Sequence, residues 1–285
     1  IKHIVTSKRK LLSLVNEGHV DGWDDPRLPT IAGLRRRGYT PEAIRLFIER
    51  LGVSKADSWI DYSILEQALR DSLDPIAERA VAVLDPIKLV VTNYPEDAEE
   101  LCSAPKNPHD PEAGKREFPF TREMWIERDD FREEPPKKYF RLFPGNTVRL
   151  KYAYVVRCTG FIKNEQGEVT EVHVEYLPDT KSGTPGSDSV KVKGNITWVS
   201  TKHAIPATVN LYDRLFTEAF PDSGDKNFLD YINPHSADQV QAWLEPGLDL
   251  SEGKQWQFER LGYFIVDPDS SPEHPIINRS VTLRD

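Results

Sequence analysis

With 285 residues and a net charge of −9, the chain is long enough for about two domains and a sizeable core. Its only cysteines, Cys102 and Cys158, exclude a disulfide framework and a paired-cysteine metal site, and no run approaches the ~18 apolar residues of a membrane span. No charged-then-apolar leader precedes a cleavage site, and the cysteine usage makes a reducing, cytoplasmic setting the expectation.

The first distinctive stretch, "TSKRKLLSLVNEGHVDGWDDPRLPT" from Thr6 to Thr30, joins a basic knot, a short apolar periodic run and a stiff turn. With no lead-in element ahead of it, it reads as the middle of a longer chain. Residues 1–84 read helical. Thr40-Pro41-Glu42 sets an N-cap before a proline at the first helical position, Ile44, Phe47, Ile48 and Leu51 come next at helical spacing, and Gly52 ends the run. Asp61 opens a second helix, with Ile64, Leu65, Ala68 and Leu69 on one face. Asp74-Pro75 repeats the cap-plus-proline signal and predicts a third helical start at "IAERAVAVL".

From Ile87 the pattern turns to strands. "IKLVVTNY", "TVRLKYAYVVRC", "EVTEVHVEYL", "SVKVKGNITWVS", "ATVNLYDRLF", "QWQFERLGYFIVD" and "PIINRSVTLR" are rich in β-branched and aromatic residues. The Gly/Ser/Pro-rich "DTKSGTPGSD" stretch reads as a mobile loop. Few helix-period segments separate the strands, which favours antiparallel barrels or sandwiches over a parallel βαβ sheet.

The acidic balance argues against a nucleic-acid partner, but its distribution argues for one. No acid occurs from Pro135 to Asn164, and between Pro135 and Tyr212 eleven Lys and Arg residues face six Asp and Glu. A basic segment in an acidic body is the footprint of a polyanion site; a chance cluster of solvated lysines is the competing reading. Read as one strand, Thr147 to Cys158 alternates Val148, Leu150, Tyr152, Tyr154 and Val156 with a row of Arg149, Lys151 and Arg157. Tyr139, Phe140 and Phe143 stand upstream among Lys137, Lys138 and Arg141. Cations for phosphate and rings for unstacked bases are the ingredients of single-stranded RNA recognition, although those rings could equally lie in the core. No enzyme site closes within the chain: the seven histidines lack metal-ligand spacing, and there is no glycine-rich phosphate loop, nucleophile elbow or dinucleotide fingerprint. "TSKRK", with a serine and lysines before a helix, is the one candidate for holding polyphosphate, against a solvated basic terminus.

"TSKRKLL" resembles the signature loop written KMSKS in class I aminoacyl-tRNA synthetases, in the form of the glutamine/glutamate subgroup. "VNEGHVDGWDDPRLPTIAGLRRRGYTPEAIRLF" is similar to the segment C-terminal to that loop in the subgroup, and "NLYDRLF", "FLDYINPHS", "QFERLGYFIVD" and "NRSVTLRD" resemble glutaminyl-tRNA synthetases. The resemblance runs over essentially the whole chain. It implies an α+β fold, with an N-terminal helical subdomain followed by two antiparallel β-barrels that bind the anticodon and are similar to the ribosomal 5S-RNA-binding proteins. The implied boundaries are 1–84 for the signature loop and helices and 85–285 for the barrels. Within the latter, the distal barrel takes about 146–245, and the proximal barrel about 85–145 plus 246–285.

The family's Rossmann catalytic domain precedes this signature, so the resemblance implies the C-terminal, cytoplasmic part of a glutamine–tRNA ligase, inactive by itself. The full enzyme would join glutamine to tRNA(Gln) with ATP and Mg²⁺ through an aminoacyl-adenylate, with no metal on this chain and no membrane or DNA partner. A related archaeal/eukaryotic-type glutamyl-tRNA synthetase or a non-catalytic RNA-binding barrel protein are the alternatives. Ser7 and Lys8 match the serine and second lysine of the signature and would act in catalysis; Thr6, Ser7, Lys8 and Arg9 would bind ATP. Arg79, Lys138, Arg141, Arg149, Lys151, Gln257 and Arg260 match anticodon-binding positions. Phe140 stands where some relatives carry lysine, and His109 and Asp74 where some carry asparagine. Gln257 and Arg260 differ in parity, so a bulge or twist is needed for both to face RNA.

Overall fold

The computed structural model describes residues 1–285, with four helices and otherwise mostly strands in two barrel-like sheets, an α+β fold. No helix is long and apolar enough to cross a membrane. The chain forms two compact units. The first comprises residues 1–79, 208–240 and 249–285, the second residues 80–207 and 241–248. Strand pairing gathers residues far apart in sequence into each unit.

In the first unit the helices are α1 (Lys8–Asn16), α2 (Ile31–Arg37), α3 (Pro41–Leu51) and α4 (Tyr62–Leu73). The start signals act as the sequence predicts: the Thr40 hydroxyl accepts from the Ala43 N–H and the Asp61 carboxylate from the Ser63 N–H. Gly52 closes α3 at φ 69°, a left-handed φ that residues with a Cβ seldom adopt. Phe47, Leu65, Leu69 and Leu73 pack with Tyr39, Tyr263 and Val281, and each such apolar side chain contributes about 1.5–3 kcal/mol on burial. The run after the basic knot buries Leu11 and Leu14 with Leu215 and Phe216. Of the arginines of "LRRRG", Arg35 is exposed, whereas Arg36 and Arg37 are engaged within the unit. Arg36 donates from Nε and Nη2 to the two Asp267 carboxylate oxygens at 3.0 and 3.1 Å, and Arg37, 3% exposed, donates to the carbonyls of Ser280, Asp213 and Tyr212.

The helical start predicted at Asp74-Pro75 does not occur. Asp74 caps the C-terminal end of α4, and β1 (Glu78–Ala80) and β2 (Ala82–Val83) come after it, because the valines and alanines there are buried in sheets. The sheet of the first unit continues through β12 (Ile205–Tyr212), β13 (Ala237–Leu244), β14 (Gln255–Phe258), β15 (Gly262–Val266) and β16 (Ile276–Thr282), in the order β1-β14-β15-β16-β12-β13. "QWQFERLGYFIVD" is the β14–β15 hairpin, with Trp256 opposite Phe264.

The second unit holds β3 (Pro86–Val91), β4 (Glu100–Pro105), β5 (Lys115–Phe120), β6 (Glu123–Glu127), β7 (Thr147–Leu150), β8 (Val155–Lys163), β9 (Val169–Tyr176), β10 (Asn195–Ile196) and β11 (Val199–Ser200). Its main sheet runs β10-β7-β8-β9-β3-β6-β11, and β4 and β5 form a separate hairpin. Leu89, Phe120, Met124, Ile126, Val156 and Trp198 lie in one core. Antiparallel pairing dominates, but β3–β9 and β7–β10 are parallel here, and β12–β16 is parallel in the first unit, so neither sheet is purely antiparallel. The strand predicted over 147–158 is two: β7 and β8 fold back antiparallel through a turn in which Tyr152 has φ 68° and the Ala153 N–H donates to Leu150 O at 2.8 Å. A long apolar-cationic alternation cannot reveal such a turn, because both arms of the hairpin keep the same parity.

Candidate nucleic-acid interface

The hairpin rearranges the expected cationic row. Arg157 lies across from Thr147 instead of further along one strand, and is exposed. Arg149 is half-buried opposite Val155, whose side chain is fully covered. Its Nη1 donates to the carbonyls of Ala153 at 2.8 Å and Thr180 at 2.7 Å and to the Ser182 hydroxyl at 3.3 Å, and its Nη2 donates to Ser187 O. This guanidinium clamps residues 180–187, so the stretch read as a mobile loop is anchored to the sheet. Lys151 sits with its ammonium 5.5 Å from the Tyr152 ring, and its backbone bonds to Ile196 O and to the Trp198 indole.

The segment before β7 forms a different kind of surface. Lys138 has φ 63°, and Lys137, Lys138, Phe140 and Arg141 are exposed. Phe140 is 48% exposed, which removes the core reading for this ring; Phe143 and Tyr139 are partly buried. Arg141 lies over the Tyr139 ring at 6.0 Å and pairs through Nε with Asp130 at 3.3 Å. Lys193 reaches the other aromatic ring, with Nζ 5.3 Å from the Phe140 centroid. Gly194 makes that approach possible, because a Cβ there would meet Phe140 O at 1.7 Å. An exposed ring with cations on it and beside it can stack an unpaired base and hold its phosphate.

Lys193 falls in a segment whose pattern predicts one continuous strand, and only the alternation of Lys191 and Lys193 before a glycine marks it in the sequence. Lys137, Lys138, Arg157, Lys191 and Lys193 have no carboxylate partner. The other cations of the basic segment are engaged: Lys163 with Glu133, Lys181 with Glu100 at 3.0 Å and Lys202 with Glu99 at 3.6 Å. His109 has its backbone N–H on the Asn107 side chain.

In the first unit, Arg79 is 5% exposed and its Nη1 donates to the carbonyls of Asp74 and Ala77, both at 2.7 Å, while Nη2 donates to Asp74 Oδ1 at 2.6 Å. The Tyr263 hydroxyl donates to the same Oδ1 at 3.1 Å and accepts from Gln257 Nε2 at 3.0 Å. Arg79 and Gln257 are thus two ends of one chain of hydrogen bonds through Asp74 and Tyr263. Burial is the main cause that raises the Tyr263 phenol above its ordinary value, with the Gln257 amide opposing and Asp74 adding. Arg260 stands in the turn between β14 and β15 at φ 69°, off the strand altogether, so its parity relative to Gln257 does not decide its direction.

At the start of the chain, Thr6, Ser7, Lys8 and Arg9 are all exposed. Ser7 is the N-cap residue of α1, but its side chain makes no capping bond, and its carbonyl accepts from Leu11 N–H at 2.9 Å. Lys10 is paired with Asp222 at 2.6 Å, whereas Lys8 and Arg9 have no carboxylate partner. A helix start with free N–H groups, a free hydroxyl and two free cations is suited to an anion. No group of three or more His, Cys, Asp or Glu side chains converges as a metal site.

Comparison with known proteins gives this geometry a family. Two family models described as "tRNA synthetases class I (E and Q), anti-codon binding domain" match residues 77–177 and 195–267, and one described as "tRNA synthetases class I (E and Q), catalytic domain" matches residues 1–75. The glutamine–tRNA ligase of Bordetella bronchiseptica is 73% identical over 286 residues, covering 100% of this chain and 49% of that protein. Those of Ralstonia nicotianae and Cupriavidus metallidurans are 63% and 62% identical over 287 residues, covering 100% of this chain and 50% and 49% of theirs. The chain spans about half the length of the curated relatives it matches. With identity at this level along its entire length, the chain belongs to the class I tRNA synthetases of the E and Q group.

Proposed function

We propose that the chain is the tRNA-binding part of a glutamine–tRNA ligase, and that the β7–β8 region of the second unit takes the anticodon loop. The observation that carries this reading is the set of exposed cations without carboxylate partners in one unit of a chain of net charge −9, Lys137, Lys138, Arg157, Lys191 and Lys193, the last of them over the exposed Phe140 ring. In this reading Lys138, Arg141 and Lys151 contact RNA directly, while Arg149 and Arg79 hold the backbone that presents the contacts. Gln257 and Arg260 belong to the β14–β15 end of the first unit. The parent architecture is a helical subdomain with two anticodon-binding barrels, similar to the ribosomal 5S-RNA-binding proteins.

The start of α1 is the part that would serve catalysis in the longer protein. ATP, with its Mg²⁺, supplies the activated phosphate chemistry there. Exposed Ser7, Lys8 and Arg9 fit a polyphosphate: the flexible Lys8 ammonium tracks charge developing on phosphate oxygens, and the N–H groups of the first turn add partial positive charge. Thr6 extends the same exposed edge. Mg²⁺ would accompany the phosphate oxygens of the nucleotide.

The test is binding of the 285-residue chain to tRNA(Gln) and to the same tRNA with a substituted anticodon. The expected result is tighter binding of the cognate molecule, with no glutamine-dependent pyrophosphate exchange by the chain alone. Equal affinity for both tRNAs would overturn the anticodon assignment.

A further inference from the structure

The first unit contains a cavity of about 560 Å³ lined by Arg37, Arg214, Arg279, Arg284, His3 and Asp213, among others. We propose that this cavity is a binding site for a phosphate-type anion, centred on Arg279 and lined by none of Thr6, Ser7, Lys8 or Arg9. Four arginines line it against three carboxylates, Glu66, Asp213 and Asp285. Two of those carboxylates are engaged: Glu66 by Arg214, and Asp285 by Arg70 at 2.9 Å. Arg37 has only carbonyl oxygens as partners, and Arg279 has one, a long bond from Nη2 to Tyr212 O at 3.4 Å.

Arg279 is the most under-satisfied group of the site. Its Nε is buried without an acceptor, and its Nη1 donates to no protein group. Burial, opposed by Asp213 and reinforced by the neighbouring Arg37, holds its guanidinium below the ordinary arginine value. Buried Arg37 and part-buried Arg279 share the Tyr212 carbonyl, and neither has a carboxylate within ion-pair reach, so the pocket is short of negative charge. Arg284 is exposed at the rim and has no ion pair. A phosphate offers three or more acceptor oxygens to guanidinia from different elements, whereas the two oxygens of a carboxylate suit a single fork. Asp213 opposes the anion; its Oδ1 accepts only the Arg214 backbone N–H.

The proposal stands on the pocket itself and not on the anticodon reading. The phosphate could be free or part of an RNA backbone, and two measurements on the 285-residue chain separate these sources. Calorimetric titration with inorganic phosphate, against chloride, should give saturable binding if the pocket takes the free anion. Arg284→Ala, at an exposed position, should weaken it about tenfold, the scale of one charge-assisted hydrogen bond, as should Arg279→Gln; Asp213→Asn should tighten it. If the anion is an RNA phosphate, free phosphate gives no heat, and Arg284→Ala instead lowers the salt slope of tRNA binding by roughly 0.7. If Arg284→Ala, shown folded by its unfolding midpoint, changes neither readout, the pocket is not an anion site. Loss of anticodon discrimination elsewhere leaves this result unaffected.

Discussion

Arg149 Nη1 donates to the carbonyl oxygen of Thr180 at 2.7 Å, across 31 residues of sequence, and so fastens the 180–187 segment to the β7–β8 hairpin. The Thr180 hydroxyl returns the connection by accepting the Val155 N–H at 2.9 Å, so both arms of the hairpin are tied to the same loop. A cation engaged with several backbone oxygens is an element of the frame.

Arg149→Ala is therefore expected to destabilise the second unit by about 2–4 kcal/mol, because it leaves partly buried carbonyls without donors. Urea unfolding measures the loss, and limited proteolysis should find new cleavage within 180–187. A variant as stable as the parent that has lost only anticodon discrimination would instead assign Arg149 to direct contact with the anticodon.

Phe140→Ala is expected to weaken tRNA binding by about 1–3 kcal/mol with little change in salt dependence, since a stacking platform is lost and no charge. Arg157→Ala and Lys193→Ala should instead lower the salt slope by roughly 0.7 for each single-strand phosphate contact removed. Binding isotherms across a salt series distinguish the two patterns, and a Phe140→Ala variant with unchanged affinity would remove the ring from the interface.

Lys8→Ala, introduced into a protein that also carries the catalytic half, is expected to slow glutamine activation while tRNA affinity stays near the parent value. Exchange kinetics and tRNA binding are measured on the same preparation. Normal activation with lost tRNA binding would contradict the assignment of this lysine to phosphate.

Glu127 supplies a pH test. Its carboxylate accepts the Leu84 and Asp85 N–H groups at 2.6 and 3.1 Å. Burial nevertheless dominates and pushes its pKa up to about 7, with Asp130 and Asp85 adding and the two N–H groups opposing. A carboxyl raised on folding binds its proton more tightly in the native state. Its stabilising contribution is then fully present below the unfolded value near 4.5 and is lost as pH rises through about 7. Stability of the second unit should fall by roughly 1–3 kcal/mol over that window. Glu127→Gln should flatten the fall, and denaturation midpoints at pH 5 and 8 decide it. An equal fall in both proteins would assign the effect to another group.

Local chemistry determined much of this protein directly from its sequence. Thr40, Asp61 and Gly52 mark helix ends because a cap or a left-handed φ depends on residues within one turn, and the family motifs are contiguous strings. The acid-free run likewise exposed the basic segment in an acidic chain. Tertiary structure alone decided which cations remain available. Arg141, Arg149 and Lys151 look alike along the sequence, yet Arg149 is engaged by carbonyls 4 to 38 residues away, while Lys193 arrives from a distant segment onto Phe140. It also decided the turn at Tyr152, the strands after Pro75 and the parallel pairing of β3 with β9. The reason is the range of the interactions. Capping and periodicity act within a few residues, whereas a guanidinium is claimed by whichever carbonyls the folded sheets bring within about 3 Å, a choice made only when distant strands pair.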